Sequence, residues 1–528
     1  MNADLTAYLL HQLAQLGVRD YCLCPGSRNA PFVMALSEPS EFQKTYLFYE
    51  ERSAAFFALG RIRATKRPVV VVTTSGTAAG ELLPAVMEAR YAGLPLILVT
   101  ADRPRSYRGT GAPQTAEQPG IFGVYAHETI DIAEKERPVL SRSLLSRPLH
   151  LNVCFDEPIL DQRSEKLEAP LSEETEANNS DRTSEIKDFL SKAKNPLILV
   201  GILDPEDREN VALFLQQLGA PALIEAGSGL REDPRLAQLR MRNPARIMER
   251  AARADYGIDS VIRIGGVPTL RFWRDLENKC AHLPILSLSR LSFTGMARNS
   301  LIVSGNLSNC IERLLPVIPN RIPHLSAQRF IELSQRTDQL LEHLLKEEPL
   351  SEAGMVARLS QLIPPKSRVY LGNSLPIREW DLAASVEPRG LEVWASRGLN
   401  GIDGQISTFL GFAQSGCENW GIFGDLTALY DLQAPWILSQ MEGIPTTIAV
   451  INNGGGKIFS RIYSDKIFQN PHSIKFEAWA DLWGLEYENW TQIPDRIASK
   501  SSKRLFEIVP NEEATQRFWR AYDSLEKV

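Results

Sequence analysis

Short β-branched strands alternate with helical stretches along this chain, and that alternation decides what it can fold into. Leu5–Gly17 carries apolar residues at helical spacing and ends in glycine. Tyr21–Cys24 reads as a short strand, Tyr46–Tyr49 as an aromatic strand and Ser53–Ala64 as a small-residue helix. Val69–Thr73 reads as a β-branched strand, Thr77–Tyr91 as a helix and Leu94–Thr100 as another strand. Strand, helix and strand joined by short connections build a parallel sheet covered by helices on both faces. The chain has 528 residues, and at about 150 residues per domain that divides into roughly three. The pattern predicts an α/β domain over 1–165, an acidic linker over 166–188, a middle α/β domain over 189–348 and a third over 349–528. The linker holds Glu-Glu-Thr-Glu-Ala-Asn-Asn-Ser at 173–180. Strands are predicted at Pro196–Gly201 and Val261–Gly266 in the middle domain. In the third they fall at Val369–Leu371, Glu392–Ala395, Gly421–Phe423 and Thr446–Ile451. No Gly-x-Gly-x-x-Gly stands in the middle domain, so no dinucleotide is assigned to it.

Composition narrows the classes of function. A net charge of −6 lacks the basic excess that phosphate-backbone binding needs, so nucleic acid is not an expected partner. The apolar runs Val69–Val72 and Leu94–Val99 are strand-length, far short of the ~20 residues that span a bilayer. Neither stable membrane insertion nor, from Met1-Asn2-Ala3-Asp4, a signal peptide is expected. The six cysteines include no Cys-x-x-Cys pair. They read as free thiols of a cytoplasmic protein.

The chemistry sits where strands end. Gly424-Asp425-Leu426 leaves one strand of the third domain and Ile451-Asn452-Asn453-Gly454-Gly455 leaves another. An aspartate, an asparagine and a glycine carbonyl offer hard oxygens to Mg²⁺, which favours one or two protein carboxylates together with ligand phosphates. Gly-Asp and Asn-Gly pairs also mark ordinary turns. Glu50 and Glu51 stand between an aromatic strand and a small-residue helix. Burial beside Phe56 and Phe57 would raise the pKa of such a carboxyl. Either residue fits an acid role, and either could instead satisfy the helix N-terminus. Further strand-end segments carry glycine, serine or arginine: Cys24–Pro31, Thr73–Thr77, Ala101–Pro104, Gly111–Gln114, Gly372–Arg378 and Ser396–Gly404. Ligands of open α/β sheets bind outside the carboxyl ends of strands. Arg28, Arg103, Arg378 and Arg397 there predict substrates with several carboxylates, because the guanidinium fork grips a carboxylate in two places.

Taken together these segments resemble the 2-succinyl-5-enolpyruvyl-6-hydroxy-3-cyclohexene-1-carboxylate synthases, thiamine diphosphate-dependent enzymes of menaquinone biosynthesis. Pro-Gly-Ser-Arg, Thr-Ser-Gly-Thr-Ala, Thr-Ala-Asp-Arg-Pro, Asn-Ser-Leu-x-x-Arg, Arg-Gly-x-x-Gly-Ile-Asp-Gly and Gly-Asp-Leu stand in the family's order. The likeness covers the first and third segments almost end to end. The middle one matches weakly, through Gly265-Gly266 and Arg271. The resemblance implies a three-domain thiamine diphosphate-enzyme architecture and a carboligase. Such an enzyme decarboxylates 2-oxoglutarate on thiamine diphosphate and adds the succinyl carbanion to isochorismate.

It also implies roles for particular residues. Glu51 is the cofactor-activating acid. Asp425, the Asn453 side chain and the Gly455 carbonyl hold Mg²⁺, with Mn²⁺ as a substitute. Ile402, Gly424, Leu426 and Phe459 contact the cofactor. Ser27, Arg28, Arg103, Gln114, Arg271, Ser374, Arg378 and Arg397 contact substrates. A homodimer or homotetramer with shared active sites follows from the same likeness. The chain departs from the family pattern in four places. Leu426 replaces the second glycine of the usual Gly-Asp-Gly, Glu50 stands for aspartate, and Asn29 for serine or threonine. Ile462-Tyr463 replaces a Leu-Pro step. A thiamine enzyme for smaller 2-oxoacids would not need so many strand-end arginines. A catalytically silent relative would have no need of Glu51, Asp425 and Asn453 together.

Overall fold

The computed structural model describes residues 2–133, 135–157, 159–160, 182–242, 247–318, 325–463 and 465–525. Its strands fall into three sheets of six. The first contains β1 (Asp20–Leu23), β2 (Lys44–Leu47), β3 (Val69–Thr73), β4 (Leu96–Asp102), β5 (Thr129–Ile132) and β6 (Leu149–Cys154). The second contains β7 (Pro196–Val200), β8 (Ala222–Ile224), β9 (Arg240–Met241), β10 (Ser260–Ile264), β11 (Ile285–Ser289) and β12 (Leu301–Ser304). The third contains β13 (Arg368–Leu371), β14 (Glu392–Trp394), β15 (Asn419–Gly424), β16 (Thr446–Ile451), β17 (Glu486–Trp490) and β18 (Lys503–Ile508). The described ladders run parallel in every sheet.

The first sheet is ordered β2-β1-β3-β4-β6-β5 and the third β14-β13-β15-β16-β18-β17, the same winding strand for strand. The second runs β12-β11-β10-β7-β8-β9. Three strands wind each way from its centre, which is the order of doubly wound dinucleotide-binding sheets. The turn after β7 holds a single glycine, Gly201, so the order is present without the phosphate fingerprint.

Central strands are buried along their whole length because helices cover both faces. In the second sheet Ile198, Val200, Ile262 and Ile264 face one core, and Leu197, Leu199 and Val261 face the other. In the first sheet Val70, Val72, Ile97 and Val99 pack with Leu5, Leu9 and Leu13 of the helix Asn2–Gln15. Truncating one such buried leucine to alanine costs about 2–5 kcal/mol.

Two local expectations change. The helix expected over Thr77–Tyr91 is two, Thr77–Gly80 and Leu83–Ala92. Pro84 lies in the first turn of the second helix, where its missing N–H would break a continuous one. Residues 166–181 of the acidic linker lie outside the described residues. From Thr183 the chain is already helical, to Lys192, because Ile186 and Leu190 bury one turn apart. All six cysteines are free thiols, four of them buried. Among the described residues no helix is long and apolar enough to cross a membrane.

By internal packing the chain divides into two units. One is Met1–Thr175, Gly398–Thr446 and Ala478–Leu485; the other is Glu176–Arg397, Thr447–Glu477 and Glu486–Val528.

Candidate active site

In the first unit, the chain leaving β2 enters the helix Glu51–Thr65 through Glu50. Glu50 has extended backbone, and its carboxylate accepts from Ser53 N at 2.7 Å and Arg52 N at 3.3 Å. Gln433 Nε2 donates to the same carboxylate at 3.2 Å. The helix-cap role that either glutamate could take therefore falls to Glu50, with an acceptor that satisfies two orphan N–H groups. Glu51 is half-buried at the first helical position. Burial raises its carboxyl pKa, a backbone hydrogen bond opposes the rise, and the charges of Glu50 and Glu81 add to it. Such a shift favours the protonated carboxyl, the form that can donate an O–H.

The loops after β1 and β3 meet where the strand order reverses, since a side chain on Gly26 would lie 2.6 Å from Thr74 Cβ. Asn29 closes the first of these loops. Its Oδ1 accepts from Gly26 N at 2.8 Å and its Nδ2 donates to Cys24 O at 2.9 Å. The amide meets the two partners with separate atoms, so this departure from the family pattern has a defined place in the loop. Ser27 is exposed at the crest. Arg28 Nη1 donates to Phe155 O at 3.2 Å and lies 3.5 Å from Glu157. Arg103 Nε donates to Pro113 O at 3.2 Å and the guanidinium sits over the Tyr107 ring. Gln114 is exposed, with φ of 54°.

The segment that carries Ile402 is held at both ends. Glu88, buried on the helix Leu83–Ala92, accepts from Gly398 N at 2.8 Å and Leu399 N at 2.7 Å. Gln405 Nε2 donates to Gly401 O at 2.9 Å. Ile402 lies half-buried between these anchors. Asp425, 2% exposed, opens the helix Asp425–Tyr430, and its Oδ1 accepts from Leu426 N at 2.6 Å. A side chain on Gly424 would meet nothing within 4 Å, so the space in front of this strand end is open. Leu426 has ordinary helical backbone, and no positive φ demands the glycine that the family places there.

In the second unit, Asn453 follows β16. Its Nδ2 donates to both oxygens of Glu352, at 2.9 and 3.0 Å. Its Oδ1 is buried and has no hydrogen-bond partner among the described residues. Gly454 and Gly455 have φ of 79° and 136°, and a side chain on Gly455 would lie 2.4 Å from Gln469 O. Only glycine fits this turn. Phe459 is 39% exposed. Tyr463 lies between Phe459 and Phe468, with ring centroids at 6.2 and 4.3 Å, so the residue that replaces the family's proline packs this loop with an aromatic. Glu379 is fully buried. Burial pushes its carboxyl pKa well up, and the charge of Glu352 adds to the rise.

Ser374 holds φ of 74° at the start of the helix Leu375–Ala383, a strained conformation for a residue with a side chain. Arg378 Nη1 donates to Ser374 O at 2.6 Å, and Arg397 Nη1 donates to Asn373 Oδ1. Burial lowers the pKa of Arg378 and the charge of Arg397 lowers it further. The structure thus gathers two cations at the ends of the neighbouring strands β13 and β14. It does not gather Arg271 with them. That side chain is 77% exposed and pairs along its own helix with Asp275 at 3.4 Å. Arg274 is the residue of this helix whose charge reaches Arg378.

Three supporting residues carried no sequence signal. Glu88 and Glu352 are solitary glutamates on helices, and Gln118 belongs to no motif. Gln118 is buried. Its Oε1 accepts from Gly76 N at 2.8 Å, and its Nε2 donates to Ala101 O at 3.2 Å and Asn152 Oδ1 at 2.8 Å. It ties the loop after β3 to the ends of β4 and β6.

These residues fit a metal–diphosphate cofactor. In the second unit Asn453 presents an orphaned buried oxygen; in the first, Gly424 faces open space and burial raises the carboxyl pKa of Glu51. The model of the thiamine pyrophosphate enzyme N-terminal TPP-binding domain matches residues 3–121. A solved Mycobacterium smegmatis chain described as a thiamin diphosphate-dependent enzyme shares the fold. Its TM-score is 0.68 at 16% identity, over 97% of this chain and 99% of that one. The fold and site define a thiamine diphosphate-dependent enzyme. Curated relatives sharpen the class. The 2-succinyl-5-enolpyruvyl-6-hydroxy-3-cyclohexene-1-carboxylate synthase of Bdellovibrio bacteriovorus is 44% identical over 100% of this chain and 99% of its own. That of Akkermansia muciniphila is 36% identical over 98% and 97%. The synthase of Lysinibacillus sphaericus is 30% identical over 95% and 92%. The chain belongs to the 2-succinyl-5-enolpyruvyl-6-hydroxy-3-cyclohexene-1-carboxylate synthase family.

Proposed function

We propose that this protein decarboxylates 2-oxoglutarate and transfers the succinyl unit to isochorismate, releasing CO2, as a step of menaquinone biosynthesis. Thiamine diphosphate, when bound, supplies an acidic thiazolium carbon and an electron sink for the decarboxylation. Glu51 would donate a hydrogen bond to the cofactor pyrimidine and so favour the tautomer that removes the thiazolium proton. Asp425, Asn453 Oδ1 and the Gly455 carbonyl would hold Mg²⁺, or Mn²⁺ in its place, against the diphosphate. Ile402 would hold the cofactor bent, with Gly424, Leu426 and Phe459 lining it. Ser27, Arg28, Arg103, Gln114, Arg271, Ser374, Arg378 and Arg397 would contact the substrates, with Arg271 solvated here. The three-domain division at 165, 188 and 348 belongs to the same proposal. So do a homodimer or homotetramer with shared active sites and a cytoplasmic reaction.

The observation that carries the substrate reading is the Arg378–Arg397 pair. Two guanidinium groups at neighbouring strand ends, one exposed and one half-buried, suit an anion with more than one carboxylate, and both substrates are dicarboxylates. A coupled assay that follows isochorismate loss tests it. Loss is expected only with 2-oxoglutarate, thiamine diphosphate and Mg²⁺ all present. Turnover of pyruvate without any need for isochorismate would overturn the reading.

A further inference from the structure

We infer that Glu352 is a positioning residue for the cation site, fixing which end of the Asn453 amide faces the metal. The inference rests on the reading above that Asn453 Oδ1 is a ligand. An asparagine amide has two ends of nearly equal size, one an acceptor and the other a donor, and only the acceptor can bind Mg²⁺. A hydroxyl or amide neighbour would tolerate either orientation. An ionised carboxylate does not, because its oxygens only accept. Glu352 Oε1 and Oε2 lie 2.9 and 3.0 Å from Asn453 Nδ2, so inversion would set three acceptor oxygens against one another. With Nδ2 so held, Oδ1 is left buried and without a hydrogen bond among the described residues. A buried polar atom in that state marks a place where something else completes its shell.

Glu352 is itself fixed. It is 3% exposed and is the first residue of the helix Glu352–Leu362. Ser351 caps that helix, accepting from Gly354 N at 3.0 Å, and Glu352 N donates to Thr515 Oγ1 at 3.0 Å. Both oxygens of Glu352 face the one Nδ2, which is the arrangement of an accepting carboxylate. Residues behind a ligand that orient it this way commonly tune metal affinity about 10–100-fold.

The test is the Mg²⁺ dependence of thiamine diphosphate binding, followed by calorimetric titration of the full chain. Glu352→Gln keeps the shape but turns one acceptor into a donor, so the Asn453 amide can invert. The Mg²⁺ concentration for half-maximal cofactor binding is expected to rise about 10–100-fold, with the cofactor-free melting temperature close to wild type. The double variant E352Q/N453D lets the introduced amide donate to one oxygen of the introduced carboxylate and leaves the other for the cation. It is expected to recover most of the wild-type Mg²⁺ dependence, which a merely structural role would not produce. An unchanged Mg²⁺ requirement in folded E352Q would overturn the inference alone. So would a double variant no better than the single one. If E352Q does not fold, the double variant decides, and a folded protein with a wild-type Mg²⁺ requirement supports the inference. Wild type that takes up no thiamine diphosphate with Mg²⁺ would overturn the proposed function together with it.

Discussion

The first and third sheets wind their six strands in the same order, yet their carboxyl edges carry different chemistry. At the first edge stand a half-buried glutamate of raised pKa, a serine and two arginines. At the third stand an aspartate, an asparagine with an unsatisfied oxygen, two glycines in positive φ and a pair of arginines, one exposed and one half-buried. The second sheet sharpens the contrast, because it has the strand order of a dinucleotide-binding domain and none of its phosphate-cradling glycines. Topology decides where loops end; the residues on them decide what is done there. On the proposed reading the first edge handles a proton and the third holds a metal and a diphosphate.

That division can be broken by mutation, and the largest effect belongs to Glu51. Glu51→Gln cannot deliver the proton and should cut turnover about 10²–10⁴-fold, with thiamine diphosphate affinity little changed. Steady-state turnover and calorimetry on one preparation check both halves. Near-normal turnover would move the acid role to Glu50, against its use as a helix cap.

The arginines come next. Arg378→Ala or Arg397→Ala leaves a desolvated carboxylate unpaired, which costs roughly 2–5 kcal/mol, read as a loss of kcat/KM. Lysine should rescue only in part, since a point charge cannot make two parallel hydrogen bonds. Arg271→Ala, on a solvated side chain, should stay within about 0.5 kcal/mol of wild type. Equal losses at 271 and 378 would mean that the strand-end pair has no special part.

Asp425→Ala should weaken Mg²⁺ and thiamine diphosphate together, by more than about tenfold, because each links the other to the protein. Turnover should return when both are supplied in excess. Cofactor affinity that ignores a chelator would contradict the metal role.

The scaffold of the first edge is tested by acid rather than by turnover. Burial lowers the pKa of His150 to about 3, and its ring nitrogens meet Thr100 Oγ1 at 2.7 Å and Thr129 Oγ1 at 3.3 Å. The unfolded chain takes up this proton below about pH 6.5, whereas the folded chain resists it until about pH 3. Stability should therefore fall as pH drops through that window, by up to about 1.4 kcal/mol per pH unit. His150→Gln should flatten the slope in denaturant titrations. An identical slope in the variant would place the acid sensitivity elsewhere, for instance on Asp131. Burial alone would push that carboxyl up, but hydrogen bonds from Arg108, Asn152 and Arg105 outweigh it and hold its pKa well down.

What was legible in the sequence was periodic or clustered. Val69–Thr73 and Thr446–Ile451 are strands at the residues their β-branched runs predicted. Strand-end motifs survive as local words, so Asp425, Asn453 and the arginines could be singled out. The choice between Glu50 and Glu51 was not legible, because it depends on which carboxylate reaches back to Ser53 N. Nor were Glu88, Gln118 and Glu352, whose partners lie far away along the chain and meet them only through the fold. The exposure of Arg271 was not legible for the same reason. Spacing cannot tell a helix face turned to solvent from one carrying Arg274 toward Arg378.

The most direct test of the division is deuterium exchange at the thiazolium C2 of bound thiamine diphosphate, by quenched-flow NMR. Glu51→Gln should slow this exchange by orders of magnitude at full cofactor occupancy. Asp425→Ala, saturated with cofactor and Mg²⁺, should leave it near the wild-type rate. Fast exchange in Glu51→Gln together with slow exchange in saturated Asp425→Ala would contradict the account.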